Sequence, residues 1–144
     1  MNEEQRLDVK LDPLMGKHEA LSNLIFAASE WYDSIKLCQL AGFSLTHSSA
    51  QPHKWKKEGK IFALRRGNTE FYPSYAFGDD FRPIPAIKNV LGVFRDKKSD
   101  LKIAAWFASN NSWLCNQRSL DLILTSPDAV IKAAEIEVAP IDHG

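Results

Sequence analysis

Apolar residues recur at intervals of three and four from Leu21 to Cys38. The series Leu21, Leu24, Ile25, Ala28, Trp31, Tyr32, Ile35 and Cys38 is the repeat of a helix with one face turned to a core. It predicts helix from Lys17 to about Ala41, with one break at Ser34, which would cap a second helix ending at Gly42. Residues 1–16 are polar, with Pro13 and Gly16 as breakers, and predict a flexible N-terminal arm. After a turn at Gly42 to Thr46, Ser48 or Ser49 can cap a short third helix carrying His53, Lys54, Trp55 and Lys57. Pro52 fits in its first turn and Gly59 stops it. The β-prone run Ile61 to Leu64, a turn at Gly67–Asn68 and the aromatic run EFYPSYAF then read as a hairpin, with Pro73 making its second strand an edge.

From Phe81 the repeat returns to helical. Pro83 and Pro85 mark a helix start, and Ile84, Ile87, Val90, Leu91 and Phe94 form its apolar series. Past the charged connector RDKKSD, Ser99 or Asp100 caps a helix with Leu101, Ile103, Ala104, Ala105, Trp106 and Phe107. ASNNSW reads as a turn and Leu120 to Leu124 as a short apolar turn. A last helix is capped by Ser126, with Pro127 at its first position. Pro140 should end that helix and leave IEVAPIDHG as an extended tail.

The pattern therefore predicts a mainly α protein with one small β-hairpin: a winged helix-turn-helix-like unit over residues 17–80, followed by a small helical domain over 81–144. At 144 residues the chain is long enough for one domain, or for two small units sharing a core. Cys38 and Cys115 form no CxxC pair and read as small buried hydrophobes. The acidic N-terminus lacks an apolar segment, and no run reaches the roughly 18 apolar residues of a membrane span, so a cytoplasmic location without membrane contact is expected.

Charge changes the picture. The formal net charge is zero, with 18 Lys and Arg against 18 Asp and Glu. Yet six of the cations (Lys54, Lys56, Lys57, Lys60, Arg65 and Arg66) fall in a short run whose one acid is Glu58. A neutral total can hide a local basic face, and local potential is what attracts a polyanion. A helix fits the major groove of DNA, and cations at its end and on a wing tip neutralise phosphates, so these six are the expected DNA-binding residues.

The chain carries no GxGxxG, GxxxxGK[ST], HExxH or GxSxG, so the signals of dinucleotide, phosphate, zinc-protease and hydrolase chemistry are missing. His47 and His53 lie six apart with no acid or Cys to complete a metal set. Asp79 and Asp80 in GDDFRP read as loop and capping residues, and Arg118 with Asp121 as a local ion pair. A non-enzyme without cofactor or metal is expected.

Two stretches resemble known families. DSIKLCQLAGFS followed by HKWKKEGKIFAL is similar to the MerR or excisionase type of winged helix-turn-helix, in which a short second helix with a Trp and a basic end leads through Gly into the wing. AAWFASNNSWLCNQRSLDLILTSPDAVIKAA resembles the toxin-binding domain of the Xre/MbcA/ParS antitoxin family. The matching positions are Trp106, Asn110 or Asn111, Leu114, Arg118, Leu120, Asp121, Leu122, Ile123, Ala133 and Ala134, with Ser119 in place of the family's Pro. The resemblance spans about residues 83–135. It implies an antitoxin-like regulator that binds a cognate toxin, commonly of the RES class that consumes NAD, and that represses its own operon by binding DNA as a homodimer. The partner-binding residues expected on this basis are Arg118, Leu120, Asp121, Leu122, Ile136, Val138 and Ile141. The alternative is a protein-interaction module of the same fold without DNA binding.

Overall fold

The computed structural model describes residues 13–140. Helix α1 (Pro13–Ala28) leads into a two-residue strand β1 (Trp31–Tyr32), then helices α2 (Ser34–Ala41) and α3 (Ala50–Lys57), then strands β2 (Leu64–Arg66) and β3 (Thr69–Pro73). The three strands form one antiparallel sheet in the order β1-β3-β2. Helix, strand, two helices and a hairpin whose second strand pairs back to the first strand is a winged-helix unit. A 3₁₀ turn (Ser74–Ala76) connects it to α4 (Pro85–Phe94) and α5 (Asp100–Ala108). Strand β4 (Asn110–Asn111), a 3₁₀ turn (Ser112–Leu114), β5 (Gln117–Arg118), α6 (Ser119–Leu122) and α7 (Pro127–Val138) complete the chain. No helix among the described residues is long and apolar enough to cross a membrane.

Several boundaries differ from the sequence expectation. Pro13 stands at the head of the described part of α1, where a missing N–H is harmless, and Gly16 lies inside the helix. The rest of the expected arm, residues 1–12, lies outside the described residues. Trp31 and Tyr32 continue the apolar spacing of α1 but are strand, because Tyr32 pairs with Tyr72 and Trp31 with Pro73. The cap of α2 is Asp33, not Ser34: its carboxylate accepts the Lys36 N–H at 2.8 Å. The ladder of the hairpin runs over Leu64 to Arg66 and not over Ile61 to Leu64. Ile61, Phe62 and Ala63 are buried but unladdered. Pro73 does not make an edge strand: β3 is central, and proline is tolerated because it is the last ladder residue. A second pair, β4 with β5, adds to the single hairpin expected.

Both units contribute to one continuous core. The Phe62 ring before the wing stacks on Phe107 of α5 at 6.0 Å, with Tyr75 at 5.0 Å from the same Phe107. Trp106 meets Phe94 edge-on at 5.0 Å, which locks α5 onto α4, while Trp55 of α3 packs between Phe43 and Phe77. Both tryptophans are buried, as the helical spacing predicts. Ser99 caps α5 by accepting the Lys102 N–H at 3.3 Å. Cys38 is buried and its thiol donates to the Ser48 carbonyl at 2.9 Å, whereas Cys115 is exposed, on a left-handed turn that turns it away from the core. Burial pushes the Cys38 thiol up from its ordinary value, which keeps it protonated.

Candidate nucleic-acid interface

The turn between α2 and α3 places α3 with one face inward. Pro52 and Trp55 are buried, while His53, Lys54 and Lys57 are exposed. Pro52 does not interrupt the helix. It is the third residue of α3, where the N–H has no intrahelical acceptor, and the His53 N–H makes the bond to Ser49 at 3.0 Å. His53 and Lys57, four apart, and Lys54 between them share the outer surface.

The six cations of the basic run divide into two groups. Lys56 is half-buried and holds Glu70 of β3 at 2.5 Å; Lys60 lies 3.5 Å from Glu58; Arg66 donates to the Asn23 amide oxygen and rests over the Phe26 ring at 4.6 Å. Lys56 is thereby turned toward the protein, whereas Arg66 stays exposed while it holds Asn23 and Phe26. Lys54, Lys57 and Arg65 are exposed and form no salt bridge among the described residues, with Arg65 donating at the wing tip to the Asn68 carbonyl at 3.4 Å. The three outward cations thus sit on α3 and on the wing, the two elements a winged helix presents to a duplex.

Glu70 is the local counter-charge. Burial raises its carboxyl, but hydrogen bonds from Lys56 and from the Tyr72 hydroxyl (3.1 Å), with the positive charges of Lys56 and Arg65, outweigh that and hold it below its ordinary value. It therefore stays ionised and fixes α3 to the wing. Burial, then the Glu70 charge, pushes the Tyr72 hydroxyl well above the usual phenol range, so Tyr72 is a hydrogen-bond donor throughout physiological pH.

The residues expected to meet a protein partner are largely engaged within the fold. Arg118 and Asp121 form a two-bond pair at 2.8 and 3.1 Å, and the Arg118 guanidinium also reaches the Ala28 carbonyl at 3.4 Å. Hydrogen bonding to Asp121 raises Arg118 above its ordinary value, which holds the charge in place. Leu120, Leu122 and Val138 are partly buried against the core. Ile136 and Val138 lie on α7, not on an extended tail, because the apolar spacing of Val130, Ala133, Ala134 and Val138 carries the helix to Ala139 before Pro140. Ile141 lies outside the described residues.

The structure exposes a different group at this end. Trp113 is 66% exposed, at the rim of a cleft of about 420 Å³ lined also by Lys98, Lys102, Asn110, Asn111 and Glu137. The Asn111 side chain accepts the Trp113 N–H at 2.9 Å and so fixes the turn that presents the ring. Sequence reasoning read ASNNSW as a turn, and residue type gives no sign that Trp113 faces out while Trp106, seven residues earlier, faces in. The asparagines around Trp113 were the available signal, since two of them mark a chain leaving the helix.

Comparison with known proteins adds fold but no family. No protein-family model matches the chain, and no curated protein matches it in sequence. Among solved structures, the NMR structure of Rv2175c superposes with a TM-score of 0.66 over 77% of this chain and 82% of that one, at 18% identity. At that identity the likeness shows a shared fold, here a winged helix-turn-helix-like unit with a helical part.

Proposed function

We propose that this chain is a DNA-binding regulator which grips a duplex by its phosphates through α3 and the wing, and holds a protein partner with its C-terminal helices. The observation that carries the first half is the placing of Lys54, Lys57 and Arg65, exposed and without a salt bridge among the described residues, on a winged-helix unit. Phosphate contacts carry no sequence information, so operator choice rests on the exposed face of α3, where His53 and Lys54 can meet base edges. The test is a gel-shift titration with duplex DNA over a range of salt. Each phosphate contact contributes about 0.9 to the log-log slope, so the triple variant Lys54→Ala, Lys57→Ala, Arg65→Ala should lower the slope by roughly 2 to 3. Equal affinity and slope for both proteins would remove the basic face from the function and favour the protein-interaction module without DNA binding.

The second half rests on the resemblance of residues 83–135 to the Xre/MbcA/ParS toxin-binding domain, and on Trp113 standing exposed beside its cleft. Exposed tryptophans are over-represented among the residues that dominate interfaces. On this reading the partner is a cognate toxin, of the RES class by the same resemblance, and the chain represses its own operon as a homodimer. Co-expression with the neighbouring reading frame as a candidate toxin tests it: the native chain should rescue growth and Trp113→Ala should rescue poorly at equal protein level. Failure of the native chain to rescue would overturn the pairing.

A further inference from the structure

A second basic concavity lies where the two units meet, joining Lys60 of the basic run to Arg82 and Lys88 outside it. A cleft of about 450 Å³ is lined by Trp55, Lys60, Arg82, Pro83, Ile84, Pro85, Lys88 and Asn89. Three of its lining side chains are cations and, among the described residues, none is an acid. Arg82 is held in place, with its guanidinium donating to the Ala41 carbonyl at 3.2 Å and to the Asp80 carbonyl at 3.0 Å while it stacks on the Phe43 ring at 4.3 Å. Those acceptors are neutral, and the Asp80 carboxylate is occupied by the Arg82 backbone N–H at 3.0 Å. Lys88 is exposed and forms no salt bridge among the described residues, while Lys60 has only an exposed pair with Glu58 at 3.5 Å, of the kind worth little in water. At the cleft's edge α4 begins with Pro85, without a side-chain cap or an acid in its first turn.

We propose that this cleft binds phosphate, and that the phosphate is one of the DNA backbone, so that the track begun by Lys54 and Lys57 continues through Lys60 to Arg82 and Lys88. A prepositioned guanidinium beside two further ammonium groups suits a phosphate, which offers several acceptor oxygens at once. The Trp55, Pro83 and Ile84 wall suits the apolar side of the adjoining sugar. The inference deepens the DNA-binding reading and rests on it for the source of the phosphate, while the phosphate chemistry stands on the cleft alone.

The test uses the full chain and the double variant Lys60→Gln, Lys88→Gln, two side chains outside the core whose loss should leave the melting temperature unchanged. In the salt titration with duplex DNA, the double variant should lose about 1.8 from the log-log slope, two contacts at about 0.9 each. A second arm follows the Trp55 indole and Asn89 amide NMR signals during titration with inorganic phosphate. DNA binding with an unchanged slope in the double variant would overturn the cleft's part in the track while leaving the α3 and wing reading intact. Absence of DNA binding by the native chain, with the two signals moving in phosphate and staying fixed in the double variant, would overturn the backbone source and keep a site for free phosphate. Signals that ignore phosphate in a chain that ignores DNA would overturn the proposal outright.

Discussion

Lys56 of α3 and Glu70 of β3 face each other at 2.5 Å, fourteen residues apart in sequence. The pair converts one cation of the basic run into a clamp between α3 and the wing. Glu70→Gln should lower stability at neutral pH by about 1 kcal/mol, the upper end for a partly exposed pair. Because the folded carboxyl titrates below its unfolded value, this contribution is fully present above the unfolded glutamate pKa of about 4.3 and is lost as pH falls through the lower folded value. Urea denaturation at pH 7 and at pH 3 checks it: the gap between native chain and variant should shrink in acid, and a gap that grew there would reverse the assignment.

The tryptophans should separate into two classes. Trp55 and Trp106 are buried among aromatic rings, and truncating either to Ala should cost roughly 3 to 5 kcal/mol. Trp113 makes no comparable core contact, and Trp113→Ala should shift stability by no more than about 0.5 kcal/mol. Thermal melts of the three single variants decide this, and a large loss in Trp113→Ala would mean that the ring is structural.

How far the sequence carried is clearest residue by residue. Ser99 as a cap, Pro127 at a helix start, Gly67–Asn68 as the hairpin turn and the inward Trp55 and Trp106 follow from local chemistry, and all stand where local chemistry puts them. Trp31 and Tyr32 did not read as strand, since their ladder partner is over forty residues away and their spacing continues that of α1. The basic run was legible as a cluster, but not its division. Which of Lys56 and Arg66 are engaged within the protein depends on Glu70 and Asn23, which only folding brings near. Arg82 and Lys88 were missed because the cleft they line is formed by packing two units together and leaves no motif.

Ser119 is fully buried at the first position of α6, and its hydroxyl has no hydrogen-bond partner among the described residues. A buried unpaired hydroxyl costs about 1 to 3 kcal/mol. Ser119→Ala should therefore raise the melting temperature, by a few degrees if about 1 kcal/mol is recovered. A lower melting temperature would show that the hydroxyl is satisfied in solution.

The end of α7 should matter more than a tail would. Val138 packs on the core, and Glu137 holds Lys98 of the α4–α5 connector at 3.2 Å. A chain ending after Glu135 loses both contacts and should be less stable, by about 1 to 3 kcal/mol, than a chain ending after Pro140. Differential scanning of the two truncations tests this, and equal melting of both would assign the last turn no part in the fold.

The Phe62–Phe107 stack and the reach of Arg118 to the Ala28 carbonyl, ninety residues upstream, join the two units through one shared core. Heat should accordingly melt the winged-helix unit and the C-terminal helices in a single transition. Occupancy at Trp113 then reinforces α3 without touching it, since whatever favours the folded chain at one end raises the melting point of the other. If the proposed partner binds there, its loss would lower the stability of the winged-helix unit as well.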